Sequence, residues 1–135
     1  KCFKANALAC RLLVRLGESV AALPASAVRR VVRGARLHPL PGAGPGLVGL
    51  AEFAGEPLAV LDLAQLLGQE RRGARPAVTV VTWLGSGSDR ELVGLGVDDA
   101  IEVAELDAAA LALGQALVGG RPVVVVDTER LGVEA

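Results

Sequence analysis

The chain has 135 residues, 52% hydrophobic but only 2% aromatic, with 14 Lys and Arg against 15 Asp and Glu, a net charge of −1. That length suits one domain, or two small subdomains sharing a core. The balanced charge offers no electrostatic basis for nucleic-acid binding, and no apolar run reaches the roughly 18 residues of a membrane-spanning helix. Seventeen Gly and seven Pro predict many turns between short elements.

Leu8 to Leu16 (LACRLLVRL) places Leu12, Val14 and Leu16 on one face and predicts a strand. Gly17-Glu18 is a turn, and Val20 to Leu23 returns until Pro24. Ser26 is placed to cap one helical turn. VRRVVRGARL is ambiguous by period, but Gly34 and the prolines at 39, 41 and 45 oppose a long helix, so a strand is expected around Arg29 to Arg33. Pro39 to Gly46 is an irregular crossing. Leu47 to Phe53 and Pro57 to Leu61 then form two strands around a turn at Gly55, and Asp62 caps a helical turn that Gly68 stops.

Gln69 to Arg75 reads as a charged linker. Pro76 to Leu84 (PAVTVVTWL) is strongly strand-forming, Ser86 to Asp89 is a hairpin loop, and Glu91 to Val97 returns. Asp98-Asp99 is a turn and Ile101 to Val103 a strand. Asp107 opens an alanine-rich helical or looped stretch to Leu117, Gly119-Gly120 punctuates it, and Pro122 to Val126 is the last strand before a helical turn at Asp127. VLDLAQLLG in the first half and VVDTERLG in the second share one pattern: apolar strand, Asp, helical turn with Leu, Gly. The repetition predicts two related small β-barrels, one over about residues 8–68 and the other over about 76–131, with room for strand exchange.

No catalytic constellation accompanies these elements. His38 is the only histidine and has no partner of suitable type and spacing for a metal. Asp98, Asp99 and Glu102 read as turn chemistry, and Asp62 and Asp127 as caps. GAGPG at 42–46 lacks the Lys-Ser/Thr of a phosphate loop. The basic clusters Arg29, Arg30, Arg33, Arg36 and Arg71, Arg72, Arg75 read as solvated edges or loops. Cys2 and Cys10 form no CxxC, and a buried apolar role is the simplest for a cysteine at a strand start, because a disulfide needs an oxidising compartment. The start KCFKANALA has no Met, as in a fragment or processed product, and fits a signal peptide poorly. An enzyme is not expected, nor any cofactor or metal.

Several segments in order resemble the CheW-like domain of bacterial chemotaxis. They are RLLVRLGESVAALP, VRRVV, HPLPGAGPGLVGL, GLAEFAGEPLAVLDLAQLLG, LVGLGVDDAIEV and RPVVVVDTERL. The resemblance covers nearly all of the chain and implies a single CheW-like domain over 1–135, mainly β, of two SH3-like five-stranded barrels side by side with short helical turns. It implies a cytoplasmic, non-catalytic adaptor that couples the cytoplasmic tips of methyl-accepting chemoreceptors to the regulatory domain of a CheA-type histidine kinase. An apolar groove between the barrels would hold the receptor's helical hairpin. The alternatives are the regulatory domain of such a kinase, or a small-molecule sensor using that groove as a pocket.

By position, Val28 matches the first-barrel Val that faces the receptor, Gly94 and Val103 the second-barrel Gly and Val, and Gly49 and Gly55 the glycines around the central turn. Val28→Glu and Val103→Glu are both expected to weaken receptor binding and leave the melting temperature nearly unchanged. The chain departs from the family pattern at several points. Glu52 stands for the usual Asn, Ala54 for the usual Arg, Arg30 for a commonly acidic residue, and Ala59 for the usual Pro. Loss of the Arg fork at Ala54 removes a charge and its donors, so the chain is expected to serve a divergent array with its own partners or to be a degenerate regulator.

Overall fold

Alternating apolar residues around a tight turn make the first hairpin. Strands β1 (Cys10–Leu16) and β2 (Ser19–Pro24) pair antiparallel, Leu16 opposite Ser19, and Gly17 turns between them at a φ of +63° that favours glycine. The computed structural model describes residues 10–42, 46–69 and 75–131. A three-residue 3-10 turn, Ala25–Ala27, leads to β3 (Val28–Arg33). Ser26 lies inside that turn, and Pro24 takes its cap position without a side-chain bond. The chain continues with β4 (Leu47–Phe53), β5 (Glu56–Asp62) and α1 (Leu63–Leu66). The second half repeats the order: hairpin β6 (Val78–Leu84) and β7 (Glu91–Val97), then β8 (Asp99–Glu105), β9 (Gln115–Val118), β10 (Arg121–Val125) and α3 (Thr128–Leu131). A helix with no counterpart in the first half, α2 (Ala108–Leu113), stands between β8 and β9.

The strands form two five-stranded sheets, ordered β8-β1-β2-β10-β9 and β3-β6-β7-β5-β4. Each half of the chain is a hairpin followed by three strands and a helical turn, as the repeated sequence pattern implies. The sheets, however, do not follow the halves. The hairpin β1–β2 joins β8, β9 and β10 of the second half, while the hairpin β6–β7 joins β3, β4 and β5 of the first. Both sheets contain one parallel pair at equivalent places, β10 beside β2 and β5 beside β7. The two halves have exchanged hairpins.

Three cores follow from strand alternation. The largest lies between the sheets, where Leu12, Val14, Leu16, Ala21 and Leu23 of the first hairpin meet Val78, Val80, Leu84, Val93, Leu95 and Val97 of the second. The opposite faces of β1 and β2 bury Leu13, Val20 and Ala22 with Leu106 and Val123. A smaller cluster of Leu37, Ala51 and Val60 fills the second sheet. Its edge strand β4 is covered by the crossing segment, which binds through His38 N–H to Leu50 O at 2.8 Å and Leu50 N–H to His38 O at 2.9 Å. That cover requires Gly49, since a Cβ there would lie 2.7 Å from the His38 carbonyl oxygen.

Some local expectations are amended. Strand β9 falls where sequence points to helix or loop. Gly114, left-handed at a φ of +76°, ends α2, and the Gly119-Gly120 turn sends the chain back, so pairing with β10 holds QALV extended despite its weak strand preference. Asp107 and Asp127 act as caps, accepting from Ala110 N–H at 2.8 Å and Glu129 N–H at 3.0 Å. Asp62 holds the cap position of α1 but makes no side-chain cap bond. Cys10 is buried as expected, yet it is disulfide-bonded rather than a simple apolar residue. Cys2, the other cysteine, lies outside the described residues, as do Arg71, Arg72 and most of the GAGPG segment.

Candidate protein-docking groove

Strand β8 is one end of the first sheet's ladder, and β3 is one end of the second's. These strands do not pair with each other. They are linked at one end, where Arg33 Nη1 donates to Asp99 Oδ1 at 2.9 Å. The neighbouring Asp98 accepts from the Gly17 N–H, and its own N–H donates to Arg15 O at 2.9 Å, tying the turn before β8 to the first hairpin. Asp98 thus does the turn work that the sequence implies, whereas Asp99, the first residue of β8, joins the two sheets, a role the sequence does not show. The Arg33 guanidinium holds the Asp99 carboxyl below the usual carboxylate range, against a smaller opposing effect of desolvation.

Register determines what faces the trough between the edges. Val28 and Val31 stand opposite Thr82 and Val80 of β6, and Val103 and Ala100 opposite Leu12 and Val14 of β1. Val80, Leu12 and Val14 point into the core between the sheets, so their partners point the same way. Val28 and Ala100 pack on that core as a half-buried floor. Val31 is 37% exposed and Val103 53% exposed, which makes them an apolar lining open to solvent.

Of the residues singled out by sequence, the fold brings Val28 and Val103 into this one trough. Arg30 is exposed on β3 but stands opposite Val81, on the other face of the strand. Glu52, Ala54 and Gly55 are exposed at the tip of the β4–β5 hairpin, on the far edge of the second sheet. Gly49 is buried under the crossing segment. Gly94 is buried in β7, and a Cβ there would lie 2.7 Å from Thr79 Cγ2 and 3.1 Å from Val60 Cγ2, inside the second sheet. Its place is one of close packing. Sequence reasoning missed Val31, Ala100 and the Arg33–Asp99 link. Val31 lies three residues beyond Val28 yet shares its face because the register shifts between Val28 and Arg30. The link joins residues 66 apart in the chain.

At another place on the seam, a cavity of about 430 Å³ is lined by Arg11, Trp83, Arg90 and Asp127 among others. The Arg90 guanidinium lies over the Trp83 ring, 4.1 Å from its centroid. Burial pulls the Arg11 guanidinium below its ordinary value, and the Asp127 carboxylate offsets part of that effect. Among the described residues, no group of three or more His, Cys, Asp or Glu is placed to hold a metal ion. No helix among them is long and apolar enough to cross a membrane.

Two five-stranded sheets fused through a common core, with apolar residues exposed on the end strands β3 and β8, define a two-sheet β module. The chain belongs to the CheW-like domain family, which matches residues 11–134. Its fold is similar to that of the scaffolding protein TtCheW from Thermoanaerobacter tengcongensis, with a TM-score of 0.74 at 19% identity over 90% of each chain. The mainly β architecture expected from sequence is the one observed, and the two sheets correspond to the two SH3-like subdomains of that fold. A comparison with curated proteins finds no match.

Proposed function

We propose that the chain is a non-catalytic signalling adaptor in a chemosensory array. Its seam between β3 and β8 holds the helical hairpin at the cytoplasmic tip of a chemoreceptor, while another face engages the regulatory domain of a CheA-type kinase in the cytoplasm. One observation carries this reading. Val31 and Val103 are exposed apolar residues on facing ladder ends, directly above the core that joins the sheets. An amphipathic helix pair fits such a trough by laying its apolar stripe on the valines. Because the floor belongs to both sheets, a bound partner is coupled to the whole molecule, and a partner shift can bias whatever the other face holds.

The test is binding of a receptor tip fragment, with the kinase regulatory domain measured in parallel. Val103→Glu places a charge in the middle of the trough and should weaken the receptor fragment by at least about tenfold. Undiminished binding by that variant removes the seam from the interface. A second reading, a small-molecule sensor, is favoured by the seam cavity with its two arginines, aromatic ring and carboxylate. Isothermal titration with small zwitterions and anions, set against Arg90→Ala, separates it from the adaptor.

A further inference from the structure

The cavity beside Trp83 is framed by hydrogen bonds that tie the segments around it together. Thr82 Oγ1 donates to Ala27 O at 3.0 Å, and Gly85 N–H donates to Thr128 O at 2.9 Å. Its walls come from both sheets: Arg11 lies on β1, Trp83 on β6 and Arg90 directly before β7. Asp127 and Glu129 line it from the segment after β10. Two guanidiniums and two carboxylates thus share a space of about 430 Å³. They are not paired off. Among the described residues, Arg90 and Glu129 form no ion pair. Asp127 gives one oxygen to the Glu129 N–H at 3.0 Å and offsets only part of the effect of burial on Arg11. The Trp83 ring holds Arg90 by its flat face, 4.1 Å from the centroid. Stacking of that kind leaves the in-plane N–H edge of a guanidinium, the edge that grips a carboxylate as a fork. The rest of the wall includes apolar Ala27, Leu111 and Val126.

A simple anion here would satisfy the arginines and face two carboxylates; a simple cation would do the reverse. A ligand carrying both charges meets both, and its apolar body meets the apolar wall. We propose that this cavity binds a small zwitterion of the free α-amino acid class, its carboxylate on Arg90 and its ammonium beside Asp127 and Glu129. The proposal names the ligand for the small-molecule reading of the cavity and rests on that reading, not on receptor docking. The volume falls within the roughly 300–1,000 Å³ of small-molecule sites. Because the walls belong to both sheets, the ligand binds the folded chain alone and raises its thermal midpoint.

The probes are the common free L-amino acids together with their deaminated and decarboxylated analogues, titrated into the intact chain. Binding is read from the amide shifts of Gly85, Gly87 and Val126, which line the cavity. At least one amino acid should saturate these shifts with a Kd below about 1 mM. Its two analogues should each bind at least about tenfold more weakly, since each leaves one charged pair unanswered. Arg90→Gln and Glu129→Gln, both at exposed side chains, should each weaken the amino acid by at least about fivefold. If Arg90→Gln does not fold, Glu129→Gln and the analogues decide the matter. An analogue that binds as tightly as its amino acid, or more tightly, overturns the zwitterion and leaves the small-molecule reading standing. Undiminished binding by Glu129→Gln overturns the placement of the ammonium and with it the proposal. No shift from any probe overturns both the proposal and the small-molecule reading, and leaves receptor docking to its own test.

Discussion

Val28 and Val103 look alike in sequence and differ in the fold. Val103 is 53% exposed, and glutamate there keeps its carboxylate in water. Val28 packs on the shared core, so glutamate there is forced toward apolar neighbours. Val28→Glu should lower stability by about 1–3 kcal/mol, whereas Val103→Glu should unfold within about 0.5 kcal/mol of the unaltered protein; urea denaturation of the pair checks both. This amends the expectation that both substitutions leave the melting temperature unchanged. Gly94→Ala should cost about 1–3 kcal/mol, since its methyl would meet Thr79 and Val60 inside a filled sheet. Ala54 has a φ of +53° and precedes Gly55 at +82°, the left-handed pair that favours Asn-Gly in a two-residue hairpin. Ala54→Asn should therefore stabilise by about 0.5–1 kcal/mol, read as a higher urea midpoint. The family's Arg at this place would occupy the same left-handed backbone, which makes its absence a change in surface chemistry and not in the turn.

The edges β3 and β8 are linked through Arg33 and Asp99. The Arg33–Asp99 link is exposed, so its energetic effect is small and salt-sensitive. Its signature is in titration. With the Asp99 carboxyl held low, the stabilisation is present above the ordinary carboxylate range and is lost as pH falls through the depressed value. Arg33→Ala should raise the Asp99 pKa toward the ordinary range, seen directly by NMR of the side-chain carboxyl. The stabilities of variant and parent should then differ near neutrality and converge in acid. An unchanged Asp99 titration would show that the link does not persist in solution. Most elements were legible in the chain: β4 matches the expected span, and β1, β2, β5, β6, β7 and β10 fall within a residue or two of theirs. Strand β9 was not legible, because ladder pairing and flanking glycines outweigh the local preference of its residues.

Exchange of hairpins makes the two sheets one folding unit. Neither half contains a complete sheet, and the main core draws side chains from both hairpins. Fragments cut between Gly68 and Pro76 should each be unfolded alone and should recover the native spectrum when mixed in equal amounts. The intact chain should lose both sheets in a single transition. A dispersed amide spectrum from either fragment alone would contradict the exchange.

Local chemistry sufficed for the turns, most strands, two of the four caps and the repeated halves, because alternation, glycine and Asp act over a few residues. It also carried the family resemblance, and with it the expectation of two SH3-like units. Which hairpin completes which sheet, the half-buried state of Val28 and the meeting of Arg33 with Asp99 depend on strands far apart in the chain. Those features were settled by edge pairing and by the burial of two hairpins against each other, free energies that no short window of sequence contains.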